Sequence, residues 1–186
     1  TGLPSGGIID LSISPNNFDR FNAISTDAPR LTEIKQWGTV AWASMESAFR
    51  GCSNMTLTAT DVPNTTAVTN MQAMFLGCSS FNQALPEGFN TSAVINMNAM
   101  FRDCSTYNQP LPTSFNTSAV TDMSLMFANC TAYNKALPVS FNTSSVTNMT
   151  SMFNGCTAYN QALPVSFNTS AVTIMNSMFA NCTAYN

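Results

Sequence analysis

Six cysteines recur at a fixed step: Cys52, Cys78, Cys104, Cys130, Cys156 and Cys182 are each 26 residues apart. Other columns keep the same step. Phe49, Phe75, Phe101, Phe127, Phe153 and Phe179 form one, and Met45, Met71, Met97, Met123, Met149 and Met175 another. Met74, Met100, Met126, Met152 and Met178 make a third, and Leu85, Leu111, Leu137 and Leu163 each stand before a proline. One supersecondary unit copied at a constant interval cannot bury its apolar face alone, and stacking the copies creates the core. The period lies inside the window of leucine-rich repeats.

Within a unit, Val120, Met123, Met126, Phe127 and Cys130 fall on one stripe about 120° wide at 100° per residue, which predicts a short amphipathic helix or 3₁₀ turn. Asn116, Thr117 and Ser118 precede it as N-cap types. Residues 133–137 read as a short strand stopped by Pro138, stacked in parallel on its copies at about 4.8 Å. The expected fold class is an α/β repeat solenoid of leucine-rich-repeat type. It is a right-handed coil with short parallel strands on the concave face and short helices or 3₁₀ turns on the convex face.

Two domain segments are expected. Residues 1–36 form an N-terminal cap or the tail of a preceding domain, with residues 8–14 alternating like a strand. Residues 37–186 form the solenoid of about six coils, truncated at the C-terminus as an excised piece of a longer chain. The first coil is atypical, with Trp42 where later coils have Val and Ala48 where they have Met, as a capping repeat requires. The last coil exposes apolar surface, so a homodimer through that coil is an expectation.

Composition narrows the function classes. Charged residues make up 8% of the chain, against roughly 25% in an ordinary domain, so the polar surface is built from Asn, Thr, Ser and Gln. The few scattered cations leave no basic stripe for nucleic acid, and no run is long enough to span a membrane. Histidine is absent, which removes the commonest general base and metal ligand. No paired carboxylates, nucleophile–base pair or phosphate loop is present, so no catalytic residue is expected and the chain reads as a non-enzyme. Asp61, Asp103 and Asp122 fall in different columns, so neither a metal site nor a cofactor is expected.

The opening WGTVAWASMESAFRGCSNM, with the recurring VTDMSLMFANC and FNTSAVT segments, resembles the BspA-like leucine-rich repeat surface proteins, a family associated with mycoplasma lipoproteins. The resemblance spans roughly residues 31–186. It implies an extracellular or cell-surface solenoid engaged in adhesion or binding. The chain departs from that family at one column, where Asn90, Asn116, Asn142 and Asn168 replace the usual Asp, which argues against a carboxylate ladder holding cations there.

Each candidate site carries two readings. The cysteine column reads as buried core in preference to disulfides, because a regular parallel stack holds Cβ atoms beyond disulfide range. Asn82, Asn108, Asn134 and Asn160 are expected to form a ladder satisfying backbone groups, while Asn90, Asn116, Asn142 and Asn168 also fit the glycosylation sequon. Gln83, Gln109, Lys135 and Gln161, with Tyr107, Tyr133 and Tyr159 two residues earlier, form the candidate concave ligand face. Stacking and neutral hydrogen bonds there suit a protein, peptide or carbohydrate on a cell surface. The alternative, left open, places the tyrosines in the core where Phe81 stands in an earlier copy. Threonine rows at Thr91, Thr117, Thr143 and Thr169, and at Thr121, Thr147 and Thr173, allow ice binding as a minor alternative. A structural spacer is the other.

Overall fold

A polypeptide that repeats every 26 residues must dispose of its backbone N–H and C=O groups the same way in every copy. The computed structural model, which describes residues 17–23 and 26–186, shows how this chain does it. The regular elements that lie wholly among the described residues are a 3₁₀ turn, Ala28–Arg30, and two strands, β1 (Glu33–Ile34) and β2 (Thr56–Leu57). The strands pair in parallel, Glu33 opposite Thr56 and Ile34 opposite Leu57. Nearly everything else is turn, yet the hydrogen bonding is dense and periodic.

Residues 71–78 show the rule. The N–H groups of Met71, Ala73, Phe75 and Gly77 donate forward to the carbonyls of Asn96, Asn98, Met100 and Arg102, at 2.8–2.9 Å. The alternate N–H groups, of Met74, Leu76 and Cys78, turn back to Met71, Ala73 and Phe75 in the same copy at 3.0–3.2 Å. Half of the donors therefore close local turns and half tie each repeat to the next. An α-helix would spend every donor internally and leave nothing for the neighbour.

This alternation demands left-handed backbone at two columns. Ser47, Ala73, Ala99, Leu125, Ser151 and Ser177 have φ between 53° and 60°. Four residues later stand Gly51, Gly77, Asp103, Asn129, Gly155 and Asn181, with φ between 61° and 77°. Gly, Asn and Asp are the residues that visit this region at least cost.

Of the two readings of residues 120–130, the helix is therefore absent and the turn alternative is the nearer one: the N–H groups of Met126, Ala128 and Cys130 close back on the carbonyls of Met123, Leu125 and Phe127, three residues earlier, and the apolar stripe is correct. Val120, Met123, Met126, Phe127 and Cys130 are all buried. Consecutive three-residue turns and a helix bring nearly the same offsets to one face, and only the route of the N–H groups separates them. The strand expected over 133–137 is absent too. Its Asn134 N–H goes to a side chain, the Oδ1 of Asn108, at 3.0 Å. Parallel bridges occur instead at Asn70, Asn96, Asp122, Asn148 and Ile174, one residue per repeat. The strand-like stretch 8–14 lies outside the described residues.

The core is a set of columns threading the repeats. One aromatic ladder runs through Phe49, Phe75, Phe101, Phe127, Phe153 and Phe179 with centroids 5.4–5.7 Å apart. A second runs through Phe81, Tyr107, Tyr133, Tyr159 and Tyr185 at 5.5–5.9 Å. The two interleave at 4.6–4.8 Å. Offset near-parallel rings at these spacings add to the gain from burial. At one end, residues 17–23 lie over the first repeat. Phe18 packs edge-on to Trp42 and Phe21 meets Phe49, and Ala23 N–H reaches the carbonyl of Ala48 at 3.0 Å.

Candidate functional site

The cysteines are free thiols, and five of the six are buried. Each thiol from Cys78 onward donates to the carbonyl of a phenylalanine one repeat back: Cys78 to Phe49, Cys104 to Phe75, Cys130 to Phe101, at 2.9–3.0 Å. Burial pushes the Cys52 thiol up to about 12 and holds Cys104 and Cys130 well above the usual thiol range. Thiols held protonated in this way are poor nucleophiles and metal ligands. Among the described residues, no cluster of His, Cys, Asp and Glu is arranged to hold a metal ion. No helix there is long and apolar enough to cross a membrane.

The structure divides the candidate ligand face. Tyr107, Tyr133 and Tyr159 are completely buried, so their expected exposure is corrected in favour of the core reading. Stacking in the second aromatic ladder takes each ring into the interior. Their hydroxyls are buried without a hydrogen-bond partner, and burial pushes all three phenols well above the usual tyrosine pKa range. Gln83, Gln109, Lys135 and Gln161 are half-buried at the surface. The Nε2 groups of Gln109 and Gln161 reach back to the Oδ1 of Asn82 and Asn134, at 3.3 and 2.9 Å. Those asparagines form the expected ladder: the Oδ1 atoms of Asn82, Asn108 and Asn134 accept the backbone N–H of Asn108, Asn134 and Asn160.

The other polar columns are equally committed. The Oδ1 atoms of Asn90, Asn116, Asn142 and Asn168 each accept the N–H two residues on, at 2.7–2.9 Å, the Asx turn that such residues favour. Thr91, Thr117 and Thr143 are buried, and each donates its hydroxyl to the carbonyl of Asn116, Asn142 or Asn168 at 2.8 Å. They offer nothing to solvent. Thr121, Thr147 and Thr173 are exposed, with hydroxyls turned to the carbonyls of Ile95, Thr121 and Thr147.

A concave surface lies elsewhere. A shallow depression, largely open to solvent, crosses three repeats and is lined by Thr113, Ser114, Asn116, Ser118, Val139, Ser140, Asn142 and Ser166. Its shape follows from the Leu-Pro-x-x-Phe turn. The N–H groups of Phe115 and Phe141 close back on the carbonyls of Pro112 and Pro138 at 3.0 and 2.9 Å, which thrusts the intervening residue outward. Val139 is 81% exposed as a result, and Val165, one repeat on, is fully exposed. In the two preceding copies the same position holds Glu87 and Thr113, whose side chains bond at 3.1 Å. The lining carries hydroxyls, amides and one apolar ledge, with no charge. Sequence reasoning missed this groove. The signal was the pair between Pro and Phe, which changes from Glu87-Gly88 to Thr113-Ser114, Val139-Ser140 and Val165-Ser166 while its neighbours stay constant.

Internally bonded copies with shared side-chain columns make this a tandem-repeat protein. A family model described as Mycoplasma protein of unknown function, DUF285, matches residues 43–138 and again 113–186. The chain belongs to that family. A search of curated proteins and a search of solved structures each return no match.

Proposed function

We propose that the chain is a leucine-rich-repeat-like solenoid of the BspA-like kind and serves as a non-catalytic binding module on a cell surface or outside the cell. Its ligand is a neutral glycan or peptide segment. The observation that carries this reading is the uncharged groove over residues 113–166, where rows of Ser and Asn lie beside the exposed Val139. Hydroxyl and amide groups match the donors and acceptors of sugars or peptide backbone, and an apolar ledge suits a C–H face. Such a site discriminates against charged ligands through desolvation rather than repulsion.

Binding of the purified chain to glycan and peptide arrays tests this, alongside Val139→Glu and a Gln109/Lys135/Gln161 triple alanine variant. Val139 packs on little, so its substitution leaves stability unchanged within about 0.5 kcal/mol. Loss of binding in Val139→Glu alone places the ligand in the groove. Loss in the triple variant alone moves the site to the glutamine face. Absence of any binding by the folded wild-type chain refutes the module and favours a spacer, a role that near-identical copies also suit. Thermal hysteresis would favour ice binding through Thr121, Thr147 and Thr173.

A further inference from the structure

Surface columns of this chain are of two kinds. Ser92, Ser118, Ser144 and Ser170 are exposed and identical in every copy. On the side formed by residues 69–77 and their equivalents, the copies differ. Leu76 becomes Arg102, Ala128 and Asn154, and the first repeat holds the exposed Arg50 in that column. Ile95, 48% exposed, stands where other copies have Thr69, Thr121 and Thr147. Asp122 stands where they have Asn70, Asn96 and Asn148. Exposure alone therefore does not make a column vary.

The fold does not require this variety. The N–H groups of Met97, Ala99, Phe101 and Asp103 reach the next repeat at 2.8–3.0 Å, and those of Met123, Leu125, Phe127 and Asn129 do so at 2.7–3.0 Å, although the side chains differ. The turn at Asn70, Asn96, Asp122 and Asn148 needs one side-chain oxygen, and each Oδ1 accepts the N–H two residues on at 2.8–3.0 Å. Asparagine makes that turn as well as aspartate does, so the charge of Asp122 is surplus to it.

We infer that this side is a second recognition surface, separate from the groove, and that its partner is a polypeptide of mixed charge. A glycan of one repeating sugar, or an ice surface, presents the same groups at every step along the stack and would meet a different side chain each time. A partner that matches such a row must itself differ from step to step. Nucleic acid does so but carries a phosphate at every step, which the carboxylates of Asp103 and Asp122 repel. Glu46 is engaged by the Asn70 amide at 3.2 Å, and Arg102 and Asp103 pair with each other at 3.3 Å. Arg50 and Asp122, three repeats apart, therefore set the polarity: a carboxylate of the partner meets the first and a basic group the second. Apolar side chains seat on Leu76 and Ile95 between them.

The test makes the surface periodic with residues that the chain already places in these columns, combining Arg50→Leu, Ile95→Thr and Asp122→Asn in one variant. A phage library of random peptides is panned on the intact chain, and the enriched peptides are synthesised and titrated. They are expected to carry both a carboxylate and a basic residue, to bind the periodic variant about 10-fold or more weakly, and to bind Val139→Glu as they bind wild type. The Tm of the periodic variant should stay within about 3 °C of wild type. Peptides that bind the periodic variant undiminished, or that are lost only in Val139→Glu, overturn the inference, as does a panning that enriches none. A larger fall in Tm overturns it as well, because the variety would then serve the stack and not a partner.

Discussion

Removing the hydroxyl of Tyr133 is expected to stabilise the protein. The Tyr133 ring is completely buried, stacked between Tyr107 and Tyr159 at 5.9 Å on either side and against Phe127 at 4.7 Å. Its hydroxyl is buried without a partner. An unsatisfied buried polar group costs about 1–3 kcal/mol. Tyr133→Phe deletes that cost while leaving the ring contacts, and the column already accommodates phenylalanine: Phe81 stacks on Tyr107 at 5.5 Å and 6°. Loss of the oxygen's own dispersion contacts takes back some of the gain. A net stabilisation of about 1–2 kcal/mol remains, equivalent to roughly 2–8 °C in Tm for a chain of this length. Denaturant titration should show a higher midpoint at unchanged slope, because the surface exposed on unfolding hardly alters. The reverse exchange, Phe81→Tyr, should lower the midpoint by a similar amount. Destabilisation by Tyr133→Phe would refute the reasoning. It would mean that the hydroxyl is bonded, in practice to a buried water, and that the core contains a solvated file along the tyrosine column.

Four further outcomes follow from the same structure. The five buried thiols should resist alkylation at neutral pH in the native state, with the half-buried Cys182 labelled first as read by mass spectrometry. Folding raises the Cys52 thiol from 9.0 to about 12, so the folded chain keeps a proton that the unfolded chain releases. Stability is then complete below pH 9 and falls as pH rises toward 12, which denaturant melts across that window will show. Thr117→Val should cost about 1–3 kcal/mol, because the Asn142 carbonyl loses its 2.8 Å donor inside the stack. At the left-handed columns the signs should oppose: Asn129→Ala (φ 61°) loses about 1 kcal/mol and Ser151→Gly (φ 54°) gains up to about 1 kcal/mol, both measured by thermal melts.

Much of the core was legible in the sequence because column arithmetic reports burial directly. Val120, Met123, Met126, Phe127 and Cys130 are buried as their offsets require, and the asparagine ladder through Asn82, Asn108 and Asn134 satisfies backbone N–H groups as expected. The secondary structure was not legible, for a physical reason. Side-chain periodicity says which face a residue occupies, while the element depends on where the backbone donors go. Gly51, Gly77, Asp103, Asn129, Gly155 and Asn181 form a column tolerant of positive φ, a signal for turns over helix that the apolar stripe alone does not carry. The partner column of Ser47, Ala73, Ala99 and Leu125 gave no such sign, since nothing in those side chains favours φ near 55°. That strain is held by the pair of hydrogen bonds on either side of each residue.

The tyrosines show the same limit from the other direction. Period-two alternation put Tyr133 on the side of Lys135, but alternation holds only for extended backbone. Residues 133–137 are not a strand, so Tyr133 turns inward while Lys135 stays at the surface. The groove is hard to read from the sequence for a related reason: its exposed ledge falls on a column that does not repeat. In a stack of copies, constancy marks the positions that must satisfy a neighbouring repeat, by packing or by hydrogen bond. A position whose backbone and packing do not depend on its side chain can vary, and Glu87, Thr113, Val139 and Val165 do so along one ridge, where only the Glu87–Thr113 pair bonds across a junction. Specific recognition has to be sought at such positions: a column bonded into the next repeat cannot be altered for a ligand without weakening the junction it serves.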